Sequence, residues 1–342
     1  MLPNMYRFDQ NETRSSIEWC FRTYPVITKV MAAARPLTWL ITGASSGFGK
    51  ALALETLRAG YKVIGTTRDV GKAEVSFPEF KSKGGIWLEL DPAQKDAYEQ
   101  FSKCSQEHDV DVLVNNAGYA FVGGVEDTSE DEVRDQMEVN FYGPLRIVRA
   151  CLPTMRAKGS GNILLISSGA GYAVFSLPQF TFQTSVLKFD LLSNSFLALA
   201  GRSTYAASKF AIEAVHESLA QEVKTFGIKV LIVEPGAFRT PFSSRIINPA
   251  QYKDSNGFSE AYKDTAVAQM VGLTATIKNI EDFAKGDTDK AAKAIVGAVV
   301  NGHDYLRLPL GSDCARSLEA KIGWLQSDLD ATREIATSTD VD

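Results

Sequence analysis

Short runs of apolar residues alternate with longer amphipathic stretches along most of the chain beyond residue 36. Runs that are continuously apolar suit strands covered on both faces, and the stretches between them are long enough for helices. Seven such runs separated by helical lengths predict a parallel sheet. The predicted strands are residues 37–41, 62–66, 86–90, 110–114, 163–166, 230–233 and 305–308.

One of the connecting stretches has an explicit signal for the start of a helix. Ser129 stands at its beginning and Glu132 lies three residues later, which is the spacing of a capping box. Residues 129–157 are therefore predicted to form one long helix. Further helices are predicted over residues 204–226 and 313–335.

The order of these elements predicts a single folded unit. No linker rich in proline, glycine or serine interrupts residues 36–342. We predict one α/β domain there, a doubly wound Rossmann fold whose seven-stranded parallel sheet has helices on both faces. Residues 1–35 show no clear period and are interpreted as an N-terminal extension.

The composition argues against several classes of function. The formal charge of −5 and the pI near 5.5 leave no basic stripe for nucleic acid. The four cysteines and three histidines are too widely spaced for a metal site or a disulfide framework, so no metal is expected. No apolar run is long enough to span a bilayer and no signal peptide is evident, so the cytoplasm is the expected location. A homo-oligomer is compatible with the sequence.

A glycine-rich turn follows the first predicted strand and precedes a helix predicted over residues 50–59. Glycines in such a turn let the backbone approach a pyrophosphate, whose charge the helix N-terminus stabilises. Glycines also mark ordinary loops, so the position between strand and helix is what favours dinucleotide binding. The candidate cofactor residues of this turn are Gly43, Ser45, Ser46, Gly47, Phe48 and Gly49.

The end of the second predicted strand bears on which nicotinamide nucleotide binds. A protein specific for NAD usually has an acidic residue there, which binds the ribose hydroxyls, whereas this strand is followed by Thr67 and Arg68. Thr67 does not repel a 2′-phosphate, and the guanidinium of Arg68 can bind one through paired hydrogen bonds. The sequence favours NADP over NAD, with an ordinary surface arginine as the alternative.

Two more groups of candidate cofactor residues follow the third and fourth predicted strands. Asp91 can hydrogen-bond an adenine edge, although the following Pro92 makes a plain turn nearly as reasonable. Asn116, Ala117 and Gly118 stand at a strand's carboxyl end, in the crevice where such sheets bind ligands. Turn chemistry alone is the alternative there.

Tyr205 and Lys209 are four residues apart on a predicted helix, so their side chains share one face. A free phenol has a pKa of about 10 and is a poor base at neutral pH, and a nearby ammonium lowers that pKa by favouring the phenolate. The pair is therefore a candidate acid/base. A tyrosine and a lysine at this spacing also occur by chance, so the pair depends on the other motifs.

In chain order, the turn at residues 42–49, Asn115-Asn116-Ala117-Gly118, Tyr205-x-x-x-Lys209 and Pro235-Gly236 resemble the compact branch of the short-chain dehydrogenase/reductase family. The likeness spans residues 36–342. From Gly286 onward the sequence is similar to a subgroup often compared with 17β-hydroxysteroid and retinol dehydrogenases.

This resemblance implies roles for the matching residues. Tyr205 would donate a proton to the carbonyl oxygen during reduction, and Lys209 would bind the nicotinamide ribose and tune Tyr205. Ser168 would hydrogen-bond the substrate oxygen, and Asn140 would hold a water that links Lys209 to solvent. The loop after the sixth strand would lie along the nicotinamide and fix the ring face that delivers hydride. Its candidate residues are Pro235, Gly236, Phe238 and Thr240.

The spacing between the serine and the tyrosine departs from the family pattern. In the family the serine lies shortly before the tyrosine, whereas a much longer stretch separates Ser168 from Tyr205. We interpret residues 173–198, which are rich in phenylalanine, as an insertion. It is either an apolar lid or a stretch foreign to the functional protein, such as an unspliced intron, and the second hypothesis is favoured. Ser193 lies nearer the family spacing, but the strand before Ser168 matches far better.

The predicted activity is that of an NADP(H)-dependent oxidoreductase that interconverts an alcohol and a ketone or aldehyde on a small apolar molecule. Two alternatives stay open. A catalytically silent NADP-binding sensor or scaffold would not need the Tyr–Lys pair. An NADP-dependent epimerase or dehydratase would use the same fold and pair, but that class normally spaces its glycines Gly-x-x-Gly-x-x-Gly, unlike Gly43, Gly47 and Gly49.

Overall fold

The computed structural model describes residues 35–168, 198–277 and 284–341. Contacts divide the chain into Met1–Arg35 and Pro36–Asp342, and every described residue except Arg35 belongs to the second unit. The predicted N-terminal extension, apart from Arg35, lies outside the described residues. So does the predicted insertion, apart from its last residue, Ala198.

The strands form one parallel sheet in the order β3-β2-β1-β4-β5-β6-β7. Strands therefore extend to both sides of β1, which confirms the predicted doubly wound fold. All seven predicted strands are present, and the fourth and seventh begin two residues later than predicted. Their bounds are β1 Thr38–Ile41, β2 Lys62–Thr67, β3 Ile86–Glu89, β4 Val112–Asn115, β5 Gly161–Ile166, β6 Ile228–Pro235 and β7 Arg307–Leu310.

The helices of the described residues connect and cover these strands. Helix α1 begins at Gly47, three residues earlier than predicted, so the last glycines of the turn belong to its first turn. The predicted helix over residues 204–226 ends at Glu222 and is followed by a 3₁₀ turn. The bounds are α1 Gly47–Arg58, α2 Val70–Ser76, α3 Glu79–Ser82, α4 Ala97–Glu107, α5 Glu130–Met137, α6 Gly143–Lys158, α7 Ser203–Glu222, α8 Ala266–Ile277, α9 Thr288–Asn301 and α10 Ser312–Thr337.

The helix predicted over residues 129–157 is interrupted in the structure. Its start is confirmed, because Ser129 and Glu132 form the reciprocal hydrogen bonds of a capping box. The prediction of one continuous helix is wrong, since a π-helical segment, Glu138–Tyr142, separates α5 from α6. Such segments change the direction of the side chains within them and are frequent at functional sites, and this one contains Asn140.

Helices cover both faces of the sheet, because successive residues of each strand point to opposite sides. On one face Trp39 packs in a cluster with Leu52 of α1 and Ile295 of α9. On the other face Leu40 packs in a cluster with Phe101 of α4, together with residues of α6 and α7. Burial on both faces is the reason that the strands are continuously apolar in sequence.

Two glycines of the turn between β1 and α1 stand where a side chain would be strained or would clash. Gly43 has a φ of +63°, a left-handed conformation that favours glycine. At Gly49, an added Cβ would lie 2.4 Å from the carbonyl oxygen of Gly43 and 2.6 Å from Nδ2 of Asn116. The backbone of the turn therefore packs directly against the first turn of α1.

We expect the Gly49→Ala substitution to lower the free energy of unfolding by about 1–3 kcal/mol, because backbone atoms of the turn must move to admit the methyl group. Gly297→Ala in α9 is the control, since the nearest atom to its added Cβ lies at 3.8 Å. That substitution should raise the stability by about 0.5–1 kcal/mol through helix propensity. Denaturant unfolding measures both, and equal stabilities of the two variants would contradict the close approach at Gly49.

Candidate active site

The candidate site residues follow the carboxyl ends of the strands, which all lie at one edge because the sheet is parallel. Helix α7 contributes Tyr205 and Lys209 to this edge, and the π segment contributes Asn140. The candidates in loops are Gly43, Ser45 and Ser46 after β1, Arg68 after β2, Asp91 after β3, Asn116, Ala117 and Gly118 after β4, Ser168 after β5, and Gly236, Phe238 and Thr240 after β6.

The turn after β1 is held to the end of β4 by hydrogen bonds. Oγ1 of Thr42 accepts hydrogen bonds from the backbone N–H groups of Asn116 at 2.9 Å and Ala117 at 3.0 Å. Nδ2 of Asn116 donates to the carbonyl oxygens of Thr42 at 2.8 Å and Gly43 at 3.2 Å. Asn116 therefore positions the turn. The sequence identifies Thr42 only as part of the turn at residues 42–49, because the residues that hydrogen-bond its side chain follow β4, far away in sequence.

The start of α1 fits a phosphate group. Its N-cap residue, Ser46, forms no side-chain cap hydrogen bond, and the first turn of the helix contains no acidic residue. The N–H groups and the positive end of the helix dipole can therefore interact with an anion. The backbone cradle at Gly43 and Gly49, which an added Cβ would fill, lets a dinucleotide approach closely.

The loop after β6 packs against this helix start and is fixed by α10. The rings of Phe48 and Phe238 meet edge to face with their centroids 4.9 Å apart. Oδ2 of Asp313, in the first turn of α10, accepts a hydrogen bond from the backbone N–H of Ala237 at 2.7 Å. An added Cβ at Gly236 would lie 2.3 Å from Oδ1 of Asp313, so a side chain there would displace the Asp313 carboxylate from this contact. The role of Asp313 was not predicted from the sequence.

Tyr205 and Lys209 are both buried and close together, as their spacing predicts. The Nζ of Lys209 lies 5.9 Å from the centroid of the Tyr205 ring. The ammonium donates a hydrogen bond to the carbonyl oxygen of Ile166, at the end of β5, at 3.0 Å. Burial lowers the pKa of Lys209 to about 8, so the lysine is still mostly cationic at neutral pH.

Asn140 connects the π segment to α7 and to the loop after β4. Its Oδ1 accepts from the backbone N–H of Tyr119 at 3.2 Å, and its Nδ2 donates to the Tyr119 carbonyl oxygen at 3.0 Å. Nδ2 also donates to Oγ of Ser208 at 3.1 Å. An added Cβ at Gly118 would be 3.1 Å from Oδ1 of Asn140 and 3.9 Å from Nζ of Lys209. These residues therefore form one group.

Three candidates have less specific surroundings. Oδ1 of Asp91 accepts a hydrogen bond from the backbone N–H of Ala93 at 3.0 Å, as in a turn, and its binding of an adenine edge stays a prediction. Arg68 is exposed at the end of β2, and Ser168 is partly buried two residues after Ile166. The neighbouring Asp69 caps α2 and pairs with Lys72, so its carboxylate is already engaged.

The described residues contain no group of three or more histidine, cysteine, aspartate or glutamate side chains arranged to hold a metal ion. None of the helices in this part of the chain is both long and apolar enough to span a membrane.

Comparison with known proteins places this site in a family. A family model described as short chain dehydrogenase matches residues 38–181 and 193–250, and the unmatched residues 182–192 fall within the predicted insertion. The oxidoreductase claN of Passalora fulva is 41% identical over 239 residues, which cover 70% of this chain and 97% of that protein. Retinol dehydrogenase 8 of Bos taurus is 34% identical over 221 residues, which cover 63% of each protein.

Solved structures show the same fold. A short-chain dehydrogenase from Streptomyces avermitilis is 36% identical, with a TM-score of 0.72 over 90% of this chain and 100% of that one. A Sphingobium yanoikuyae enzyme in complex with NADPH has 21% identity and a TM-score of 0.58 over 90% of this chain and 96% of that one. A Burkholderia phymatum enzyme in complex with NAD has 18% identity and a TM-score of 0.65, over 87% of this chain and 95% of that one. Motifs, fold and relatives agree, and this chain belongs to the short-chain dehydrogenase/reductase family of oxidoreductases.

Proposed function

We propose that this protein catalyses the NADP(H)-dependent interconversion of an alcohol and a ketone or aldehyde. The observation that carries the proposal is the buried Tyr205–Lys209 pair, with Nζ 5.9 Å from the ring centroid, at the sheet edge where the glycine turn lies. Binding a nucleotide does not require a buried phenol beside a buried ammonium, whereas this pair can act as an acid and base in proton transfer.

The bound nucleotide would supply or accept the hydride, and the residues of the chain would handle the proton. In reduction, the Tyr205 hydroxyl donates its proton to the carbonyl oxygen as the hydride reaches the carbonyl carbon. The ammonium of Lys209 stabilises the phenolate that is left. In oxidation the phenolate takes the proton back from the alcohol.

Ser168 and Asn140 would assist this pair. Ser168 follows the strand whose end accepts a hydrogen bond from Lys209, and its hydroxyl would donate to the substrate oxygen as negative charge develops there. The hydrogen bonds of Asn140 go to Tyr119 and Ser208 rather than to Lys209, so a water held at Asn140 would carry the proton between Lys209 and solvent.

The preference for NADP rests on Arg68, because related folds hold either NADPH or NAD. Arg68 is exposed at the end of β2, and it forms no salt bridge within the described parts of the chain. The adjacent Asp69 is occupied by Lys72 and by the start of α2, which limits its repulsion of a 2′-phosphate. The guanidinium is thus the group that would bind the phosphate.

An apolar substrate is proposed from the residues around Tyr205. Its ring packs in a cluster with Val122, Ile246 and Met270, and the ring of Phe242 lies 6.2 Å away, centroid to centroid. Such a lining favours the apolar body of an alcohol or ketone. One of the relatives is named as a retinol dehydrogenase, and retinol is an alcohol of this class.

We expect Tyr205→Phe to lower kcat/KM for carbonyl reduction by at least about 10²-fold, because the proton donor is lost while the ring remains. Binding of NADPH should be nearly unchanged. Tyr262→Phe is the matched control, since Tyr262 packs against the same apolar cluster. The assay follows NADPH oxidation with a panel of apolar aldehydes and ketones, and full activity in Tyr205→Phe would favour the silent scaffold.

The Arg68→Gln variant should raise KM for NADPH by about 10-fold to 100-fold, the effect of losing charge-assisted hydrogen bonds, and leave KM for NADH unchanged. Arg58→Gln serves as the control, because Arg58 is exposed in the last turn of α1 and pairs with Glu55. Equal loss of affinity for both nucleotides would count against a role in binding the 2′-phosphate.

We also propose that residues 173–198 are an insertion into the working domain. Hydrogen bonds hold the chain on either side of it to the described fold. Before it, the N–H of Ser167 donates to the carbonyl oxygen of Val233 at 2.8 Å. After it, the carbonyl oxygen of Gly201 accepts from the N–H of Gly123 at 2.8 Å. Deleting residues 175–196 should leave NADPH-dependent carbonyl reduction unchanged. Loss of reduction, with normal nucleotide binding and thermal stability, would support the apolar lid instead.

A further inference from the structure

Titratable side chains lie along one face of α7 beyond the proposed acid/base pair. Tyr205, Lys209, Glu213 and Glu217 follow one another at intervals of four residues. Glu213 is 4% exposed, whereas the side chain of Glu217 is 56% exposed. Burying a carboxylate is costly unless its oxygens find donors, so the contacts of Glu213 indicate its role.

Glu213 holds the end of β5. Its Oε1 accepts a hydrogen bond from the hydroxyl of Ser167. The residue before, Ile166, accepts the hydrogen bond of Lys209 at 3.0 Å, and the residue after is Ser168, the proposed substrate-binding serine. Glu213 and Lys209 therefore fix neighbouring residues of the strand end that presents this serine.

Arg307 of β7 joins three carboxyl groups. Its guanidinium donates to Oε2 of Glu213 at 2.8 Å, to the fully buried Glu234 of β6, and to the exposed Glu217 at 3.2 Å. Glu234 directly precedes Pro235, where the loop proposed to lie along the nicotinamide begins. Arg307 thus links the helix of the acid/base pair to the strand of the nicotinamide loop.

Two buried carboxyl groups share this single guanidinium, so their titrations are coupled. Burial, together with the charge of Glu213, raises the pKa of Glu234 to about 8. Oε2 of Glu234 finds no hydrogen-bond partner within the described residues, so no donor at this oxygen favours the charged form. Burial also raises the pKa of Glu213, but both of its oxygens accept hydrogen bonds from Ser167 and Arg307, which favours its charged form.

We propose that Glu213 is a positioning residue for the acid/base pair: its carboxylate keeps Lys209 cationic near neutral pH and holds the end of β5, and Arg307 keeps Glu213 ionised. This inference rests on the proposed function of Tyr205 and Lys209. The pKa of Lys209 is the balance of burial, which lowers it, and of the Glu213 charge, which raises it.

Two further titratable groups interact with Lys209 or with Glu213, and neither replaces the charge of Glu213. His216 on α7 is buried, and burial lowers its pKa to about 4, so this imidazole is neutral. Cys314 of α10 is protonated, because burial raises its pKa to about 12. The remaining groups are Lys209 and Glu217 on α7, Ser167 after β5, Glu234 on β6 and Arg307 on β7.

Titration of Lys209 tests the proposal directly. In protein labelled with ¹³Cε-lysine, the resonance of Lys209 is assigned with the Lys209→Arg variant and followed against pH by NMR. Replacing Glu213 by glutamine removes a negative charge, so Lys209 should lose its proton at lower pH. We expect the midpoint to fall by about one pH unit in Glu213→Gln. The alkaline limb of the kcat profile for carbonyl reduction should move to lower pH by the same amount.

Glu217→Gln is the matched control, because it removes a carboxylate bound to the same arginine and one helical turn further from Lys209. Glu217 is exposed and screened by solvent, so this variant should leave the midpoint in place. Glu213→Asp, which retains the charge, should restore most of the wild-type midpoint. An unmoved midpoint in folded Glu213→Gln, or an equal fall in Glu217→Gln, would overturn the proposal.

If Glu213→Gln does not fold, Glu213→Met decides the question, because it removes the charge and leaves an apolar side chain of similar size in the buried position. A fall of the Lys209 midpoint in this variant supports the role of Glu213, and an unchanged midpoint refutes it. The NMR titration of Lys209 does not depend on whether the protein reduces a carbonyl compound. A wild type that reduces no carbonyl compound would defeat the proposed activity alone, whereas normal reduction with an unmoved lysine midpoint would defeat this inference alone.

Discussion

Parallel pairing of all the strands is the constraint on which the site depends. Each strand must be followed by a crossover back to the opposite edge, so every loop that leaves a carboxyl end does so on the same side of the sheet. Residues as distant in sequence as Gly43, Gly118 and Thr240 are thereby brought to the same edge of the sheet. The hydrogen bonds of Thr42 with the end of β4 then fix how the first of these loops is oriented.

Elements whose signal is local could be predicted from the sequence. The strands follow from apolar runs, the start of α5 from Ser129 and Glu132, and the shared face of Tyr205 and Lys209 from their spacing. The π segment could not be predicted in this way, because one extra residue in a helical turn barely changes the apolar period. Asn140 was assigned only through a family resemblance, although its surroundings are set by that segment.

The contacts that could not be predicted from the sequence join residues at long separations. Thr42 bonds to Asn116, 74 residues away, Asp313 to Ala237, 76 residues away, and Arg307 to Glu213, 94 residues away. No pattern within a short window reports such pairs, and the side chains concerned are ordinary at loop and strand ends. The sequence does show Glu213 four residues after Lys209. This spacing on one helical face is the one local indication that the two side chains are neighbours.

Hydrogen bonds fix both ends of the stretch between β5 and α7. Ser167, before the stretch, is bonded to the sheet, and Gly201, after it, is bonded to the loop after β4. Closing a longer flexible segment between fixed ends costs only about 0.6 kcal/mol for each doubling of its length. Relatives can therefore lengthen or replace this stretch at little thermodynamic cost. The places of Tyr205 and Lys209 on α7 therefore depend on these fixed ends rather than on the length of chain between them.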